Sequence, residues 1–150
     1  MPSARSSSMN LSLERSSLAS IAKASDEDLE WLYPGRPIEE TLKLWSKFGP
    51  RFCVATLGGR GAFAYIDGER LSVAPAKVAV VDTVGAGDSF MSALLAAMDR
   101  DGALGAGAPT PNRERLAAWL AFAAAASAFT CTRKGSDPPT RREMAALGFA

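Results

Sequence analysis

The hydrophobic residues of this 150-residue chain recur with two different spacings, which predict strands and helices in alternation. Short, nearly continuous apolar runs bounded by glycine, proline or charged residues are typical of strands. Five runs have this character, namely residues 21–24, 52–57, 62–66, 70–74 and 78–81. An Asp-Gly pair at 67–68 predicts a tight hairpin between the third and the fourth of these runs.

Apolar residues spaced three and four apart predict the helices. Ser25 followed by Asp28 is a helix-start signature, and the Pro-Gly pair at 34–35 ends the helix that begins there. Further helices are predicted over residues 38–48, 87–100, 112–129 and 141–147. Strands that alternate with helices in this way predict an α/β fold with a partly parallel sheet.

The remaining segments complete the predicted domain organisation. Residues 1–10 are rich in serine and are expected to be disordered, and a short helix is expected before the first strand. Residues 11–150 form the folded portion. The glycine-rich and alanine-rich stretch at 102–110 is predicted to be a loop. Helical spacing places three tryptophans in the core: Trp31, Trp45 and Trp119.

Composition narrows the class of protein. A hydrophobic content of 47% with 22% charged residues describes a globular protein, and a net charge of +1 predicts neither a nucleic-acid nor a membrane partner. Histidine is absent, which excludes histidine-based triads and histidine metal sites. The distant cysteines Cys53 and Cys131 are interpreted as buried free thiols in a reducing compartment. With no signal peptide or membrane-spanning run recognised, we expect a cytoplasmic location.

Residues 82–88, Asp-Thr-Val-Gly-Ala-Gly-Asp, carry the most specific chemical signal. They lie between a predicted strand and a predicted helix. Small residues at a helix start leave backbone N–H groups pointing outward, which together with the helix dipole form a site for phosphate oxygens. A bound phosphate would repel Asp88, so we interpret this carboxylate as the base that takes a proton from an attacking hydroxyl. The alternative is an acid that only stabilises the helix dipole.

This run resembles the C-terminal signature of the PfkB (ribokinase-like) carbohydrate kinases. Three further stretches match that family in the right order, and residues 25–35 and 135–140 are most similar in sequence to the fructokinase branch. The three stretches are residues 23–28, 56–61 and 132–140. The resemblance extends from about residue 18 to the C-terminus. It implies a partial ribokinase-like, Rossmann-like three-layer sandwich that lacks the N-terminal strands and the lid.

The resemblance also implies roles for individual residues. Asp88 would be the general base, and the anion hole would be formed by the backbone of Gly85, Ala86 and Gly87. ATP would lie along Thr56, Gly58 and Gly61, with Gly135 in the loop beside the adenine. Asp82, the Val84 carbonyl and Gly135 would coordinate a K⁺-like ion. Ser25 and Asp28 would help to organise Mg²⁺ through water.

Two features depart from the family pattern. Many members carry Asn and Glu where Ser25 and Asp28 stand, although both replacements keep oxygen donors. Pro139 occupies a position that is a hydroxyl residue in some members. The family is also longer, because an N-terminal portion supplies the sugar-recognition motif, a carboxylate that grips the sugar, and the lid. We therefore expect the C-terminal portion of a kinase, arising from a gene fragment, a misplaced start or a split protein.

Three functional hypotheses remain open. The first is ATP-dependent phosphorylation of a sugar hydroxyl, fructokinase-like, with ATP and a fructose-like sugar as partners. The second is a kinase of the same fold for another sugar or a nucleoside. The third is a non-catalytic remnant that binds nucleotide, or half of a split protein. An exposed sheet edge in such a portion predicts a homodimer or a completing partner chain.

Overall fold

The structure is a computed structural model that describes residues 20–105 and 107–149. The predicted disordered segment at 1–10 and the short helix predicted before the first strand lie outside these residues. The described residues form two compact units. The first comprises residues 20–58 and 62–72, and the second comprises residues 59–61, 73–105 and 107–149.

The first unit contains a mixed four-stranded sheet. Its strands lie in the order β1 (Ile21–Ser25), β2 (Phe52–Thr56), β3 (Ala62–Ile66) and β4 (Glu69–Val73). The β1 and β2 strands are parallel, with Ile21 opposite Phe52, and β2 and β3 are antiparallel. The parallel pair needs a long crossover, which two helices supply. The predicted α/β class and the partly parallel sheet are confirmed.

Those two helices are α1 (Asp26–Leu32) and α2 (Ile38–Trp45), the latter followed by a 3-10 turn at Ser46–Phe48. They contribute Leu29, Leu42 and Trp45 to the buried core of the unit. The Trp45 indole N–H also donates to the Tyr33 hydroxyl at 3.1 Å. Trp45 therefore occupies the core as predicted, with its polar atom satisfied.

The core prediction for Trp31 is wrong, because this side chain is 55% exposed. Leu29 on the same helix is buried. Two residues correspond to about 200° of helical rotation, so the face that carries Trp31 is opposite the face that carries Leu29. Leu32, three residues after Leu29, packs against the same core, so the buried face carries Leu29 and Leu32.

The second unit is built on helices. These are α3 (Ala86–Arg100), α4 (Arg113–Cys131) and the short α5 (Arg141–Ala146). Helices α3 and α4 bury large side chains between them: Phe90, Leu94, Met98, Leu116, Trp119 and Leu120. The Trp119 indole N–H donates to Asp101 Oδ2 at 2.8 Å, and this bond lowers the pKa of Asp101. Trp119 is thus a core residue, as predicted.

The predicted strand at 78–81 is wrong. These residues form a loop in the structure, with Val80 62% exposed and Val81 64% exposed. The Val81 N–H donates to the carbonyl of Cys131 at the end of α4, at 2.8 Å. An apolar run of four residues predicts a strand only where another strand lies beside it, and here the neighbour is a helix end.

Both cysteines are free thiols. Burial raises the pKa of Cys53 to about 12, which makes its thiol unreactive at neutral pH. Cys131 is only half-buried, so the expectation that both thiols are buried is wrong for this residue. No helix in the described part of the chain is long and apolar enough to cross a membrane.

Candidate active site

The turn that begins α3 is the centre of the candidate site, and it lies in the second unit. Gly85 caps the helix in the left-handed region, with φ of +79°. The Ala86 N–H donates to the Thr83 carbonyl, so it is not free for the predicted anion hole, whereas the N–H groups of Gly85, Gly87 and Asp88 have no acceptor among the described residues. Gly87 and Asp88 are exposed. The turn therefore presents two free donors and one carboxylate to solvent.

Asp82 connects this turn to the loop at 132–140. One carboxylate oxygen accepts from the Val84 N–H at 3.1 Å, and the other accepts from the Gly135 N–H at 2.9 Å. The bond from Gly135 is the main cause that lowers the pKa of Asp82. The structure thus brings together the three residues predicted to hold a K⁺-like ion. That role stays a prediction.

Gly85 must be glycine for a second reason besides its φ. A Cβ placed on Gly85 would lie 2.0 Å from Ser136 Oγ and 2.7 Å from Ser136 Cβ. The loop therefore packs directly on the helix start, at a distance that no side chain on Gly85 permits. The contact joins the turn at 82–88 to the loop at 132–140 at a second point, besides the bond from Gly135 to Asp82.

Arg133 holds the same loop from its other side. Its guanidinium donates to Asp137 at 2.9 Å and to Glu143, and it lies 4.3 Å from the centre of the Phe129 ring. Glu143 also caps α5 through Thr140. Arg133 therefore forms ion pairs with two carboxylates of its own unit. The spacing of Thr140 and Glu143 in the sequence indicates a capping box, which places Glu143 at the start of α5 beside this loop.

Ser25 and Asp28 form a capping box at the start of α1. The Asp28 N–H donates to Ser25 Oγ at 3.1 Å, and the Ser25 N–H donates to Asp28 Oδ2 at 3.3 Å. This confirms the helix-start signature. Their role toward Mg²⁺ stays a prediction, and the described residues contain no group of three or more His, Cys, Asp or Glu placed to hold a metal.

Replacing Ser25 by Ala removes the side-chain acceptor of this cap, and we expect a loss of stability of about 1 kcal/mol. Urea unfolding followed by circular dichroism measures the change. Asn112→Ala, which removes the equivalent cap of α4, is the matched control and should cost a similar amount. A role of Ser25 in organising Mg²⁺ predicts in addition that added Mg²⁺ with ATP stabilises the unaltered chain more than Ser25→Ala. Equal stabilisation of the two would contradict that role.

The predicted nucleotide turn has residues in both units, with Thr56 and Gly58 in the first and Gly61 in the second. Thr56 ends β2 opposite Ala62, and Gly58 has φ of +55° with open space around its Cβ position. Gly61 has φ of +90°, and a Cβ there would lie 2.3 Å from the Val73 carbonyl oxygen. Gly61 is therefore required by packing. The phosphate contacts of all three residues stay predictions.

The Asp82 carboxylate makes the stability of the second unit depend on pH. The pKa of Asp82 in the folded state lies below the ordinary value of 3.8. The carboxylate therefore stabilises the folded state fully above the unfolded pKa, and this stabilisation is lost as pH falls through the folded pKa. We expect the stability difference between the unaltered chain and Asp82→Asn to be full at neutral pH and to shrink below about pH 4. Urea unfolding of both proteins across this range measures it. A difference independent of pH would contradict the prediction.

Comparison with known proteins places these residues in context. The sequence matches the pfkB family of carbohydrate kinases over residues 1–142. It is 37% identical over 133 residues to a probable fructokinase-4 from Arabidopsis thaliana, covering 86% of this chain. The fold is similar to an aminoimidazole riboside kinase from Salmonella enterica, solved with aminoimidazole riboside and an ATP analogue (TM-score 0.78, 26% identity, 93% of this chain). It is also similar to a Vibrio cholerae fructokinase solved with fructose, ADP and calcium (TM-score 0.76, 26% identity, 92% of this chain).

The chain is much shorter than these proteins. It spans 39% of the length of the Arabidopsis relative, 45% of the Salmonella chain and 44% of the Vibrio chain. The predicted partial ribokinase-like fold is thereby confirmed. The described residues correspond to part of such an enzyme.

Proposed function

The chain belongs to the pfkB family of carbohydrate kinases, and we propose that it carries the phosphoryl-transfer end of an ATP-dependent sugar kinase. The turn at the start of α3 is the observation that carries the proposal. It places an exposed carboxylate, Asp88, directly beside two backbone N–H groups that have no acceptor among the described residues. Phosphoryl transfer requires a proton acceptor for the hydroxyl and donors for the charge on the phosphate, and this turn offers both.

In the proposed reaction Asp88 accepts the proton of the sugar hydroxyl while that oxygen attacks the γ-phosphorus of ATP. The bond from the γ-phosphorus to the bridging oxygen breaks, and ADP leaves with that electron pair. The N–H groups of Gly87 and Asp88 donate to the phosphoryl oxygens, whose negative charge they stabilise. Gly85 sets the direction of these donors, because its left-handed φ turns the chain into the helix.

The residues that would hold the proposed cofactors carry suitable groups. The open space at Gly58 permits close approach of an ATP phosphate to the backbone. The Asp82 carboxylate oxygens accept N–H groups from Val84 and Gly135 and still have free lone pairs. Together with the Val84 carbonyl, these lone pairs would suit a K⁺-like ion. Ser25 and Asp28 would contact Mg²⁺ through water. Bound Mg²⁺ would neutralise charge on the phosphates.

We propose a fructose-like sugar as the acceptor. The name of the Arabidopsis relative and the fructose bound to the Vibrio enzyme support this choice. A nucleoside is the second candidate, and it is favoured by the riboside bound to the Salmonella enzyme, whose fold is equally similar. A homodimer or a completing partner chain remains part of the proposal, because β1 and β4 are the edge strands of the described sheet.

The test is a coupled ADP-release assay of the purified chain with ATP and Mg²⁺ against fructose, other ketoses and ribosides. Binding of ATP is measured separately by calorimetry, and oligomeric state by light scattering. Phosphorylation of fructose in preference to the others supports the proposal. Binding of ATP without phosphorylation of any acceptor would favour the non-catalytic remnant. A folded chain that does not bind ATP would overturn both.

A further inference from the structure

We infer that Thr130 and Ser127 of α4 are positioning residues that fix the orientation of the turn carrying Asp88. The inference rests on the proposed function, because the orientation of Asp88 matters for catalysis only if phosphate is transferred there. Neither residue belongs to the four stretches that resemble the family signatures. Both lie in the alanine-rich part of α4, where a hydroxyl is an exception to the composition.

The first contact is a pair of buried hydroxyls between the two helices. Thr130 is 0% exposed and Ser89 is 5% exposed. Thr130 Oγ1 lies 2.8 Å from Ser89 Oγ and 3.0 Å from the Ala126 carbonyl oxygen, which is also 3.3 Å from Ser89 Oγ. One of the two hydroxyls donates to the Ala126 carbonyl, and the other donates to the oxygen of the first. Both hydroxyls are therefore hydrogen-bonded.

The second contact lies one turn away. Ser127 Oγ donates to the Ala86 carbonyl at 2.9 Å. Ala86 and Ser89 are the first and the fourth residues of α3, so they lie on the same face of the helix. Helix α4 therefore bonds to both ends of this first turn. Gly87 and Asp88, which lie between the bonded residues, remain exposed.

Because a hydrogen bond depends on direction, these contacts restrain the rotation of the first turn of α3 more strictly than apolar contacts do. The large side chains packed between the two helices begin at Phe90, whereas at the first turn of α3 the neighbour on α4 is the small residue Ala126. Rotation of α3 changes where the Asp88 carboxylate points. A displacement of about 1 Å at a reacting group costs on the order of 100-fold in rate, so a fixed orientation has catalytic value.

The deciding experiment compares three variants by amide hydrogen exchange. Thr130→Val keeps the shape but removes the hydroxyl, whereas Thr130→Ser keeps the hydroxyl but removes a methyl group. Thr41→Val is the matched control, because Thr41 is equally buried and bonds only to the Pro37 carbonyl of its own helix. We expect Thr130→Val to raise exchange of the hydrogen-bonded amides of Ala86, Ser89 and Phe90 about tenfold, while Thr130→Ser and Thr41→Val leave it near that of the unaltered chain.

Exchange of the Ala86, Ser89 and Phe90 amides that stays unchanged in Thr130→Val, or that rises equally in Thr41→Val, overturns the inference. Ser127→Ala supplies a second test at a half-buried position and decides the matter if Thr130→Val does not fold. It should raise exchange at the same residues, and unchanged exchange there overturns the inference.

Kinetics separate this inference from the proposed function. With phosphoryl transfer present, Thr130→Val should lower kcat about tenfold with little change in KM for ATP, and Thr130→Ser should restore kcat. A purely structural role predicts the reverse order, because Thr130→Ser loses core volume and Thr130→Val does not. If the unaltered chain transfers no phosphate but exchange responds as expected, the proposed function fails and the hydroxyl contacts stand.

Discussion

Replacing Asp88 by Asn should lower the rate of phosphoryl transfer by about 10²- to 10⁴-fold, the usual contribution of a general base. Asn has the same shape and cannot accept the hydroxyl proton. Asp88 is exposed at the first turn of α3, so its replacement leaves the packing of α3 and α4 unaltered. We expect kcat to fall while ATP binding is retained or tightens, because a negative charge near the phosphates is removed. Steady-state kinetics and calorimetry measure the two quantities.

The control for this variant is Asp99→Asn, an equally exposed carboxylate near the other end of the same helix. It should leave kcat unchanged. A fall in kcat of less than about tenfold in Asp88→Asn would show that the carboxylate acts only on the helix dipole, whose effect is on the order of 1 kcal/mol. That result would support the alternative kept open from the sequence.

Gly85→Ala should abolish measurable transfer and release the loop at 132–140 from the turn. Two independent effects add at this position. The φ of +79° costs an L-residue about 1–2 kcal/mol, and the new Cβ would lie 2.0 Å from Ser136 Oγ. The backbone of Gly85 and the loop cannot both keep their places. Thermal unfolding and hydrogen exchange of residues 132–137 measure the effect on structure.

Gly102→Ala separates the two causes. Gly102 follows α3 with φ of +65° and has nothing within 4 Å of its Cβ position, so it carries the conformational cost without the clash. We expect it to lose stability by an amount close to the conformational cost alone and to keep its activity. The double variant Gly85→Ala, Ser136→Gly removes most of the clash and should recover part of the loss. Equal effects of Gly85→Ala and Gly102→Ala would contradict the close packing of the loop.

Much of the fold could be predicted from the sequence because its signals are local. The capping pairs at Ser25 and Thr140, the Asp-Gly turn and the apolar spacing define elements whose structural bounds differ from the predicted ones by a few residues. Local signals did not show what lies beside an element. Residues 78–81 have the composition of a strand and lie against a helix end, and Trp31 has helical spacing but lies on the exposed face.

The sequence predicted most of the residues of the candidate site, but it did not predict the hydrogen bonds and ion pairs that hold them together. Asp82, Val84 and Gly135 were assigned together, and the structure joins them through the Asp82 carboxylate. The contacts of Ser127, Thr130 and Arg133 join residues on different elements or depend on side-chain direction, which spacing along one segment does not specify. The contacts of Ser127 and Thr130 form only where α3 and α4 pack together, and those of Arg133 form only where the loop at 132–140 lies beside α5.

The bond between Asp82 and Gly135 joins residues 53 positions apart in the chain. Closing a loop of that length costs chain entropy, and the intervening helices shorten the effective distance only after they have paired. We therefore expect the helical hairpin of α3 and α4 to form first in folding and the turn at the start of α3 to become ordered late. The part of the molecule that would touch phosphate is then among the last to acquire its structure, and nascent chains should gain affinity for nucleotide only when synthesis has passed the loop at 132–140.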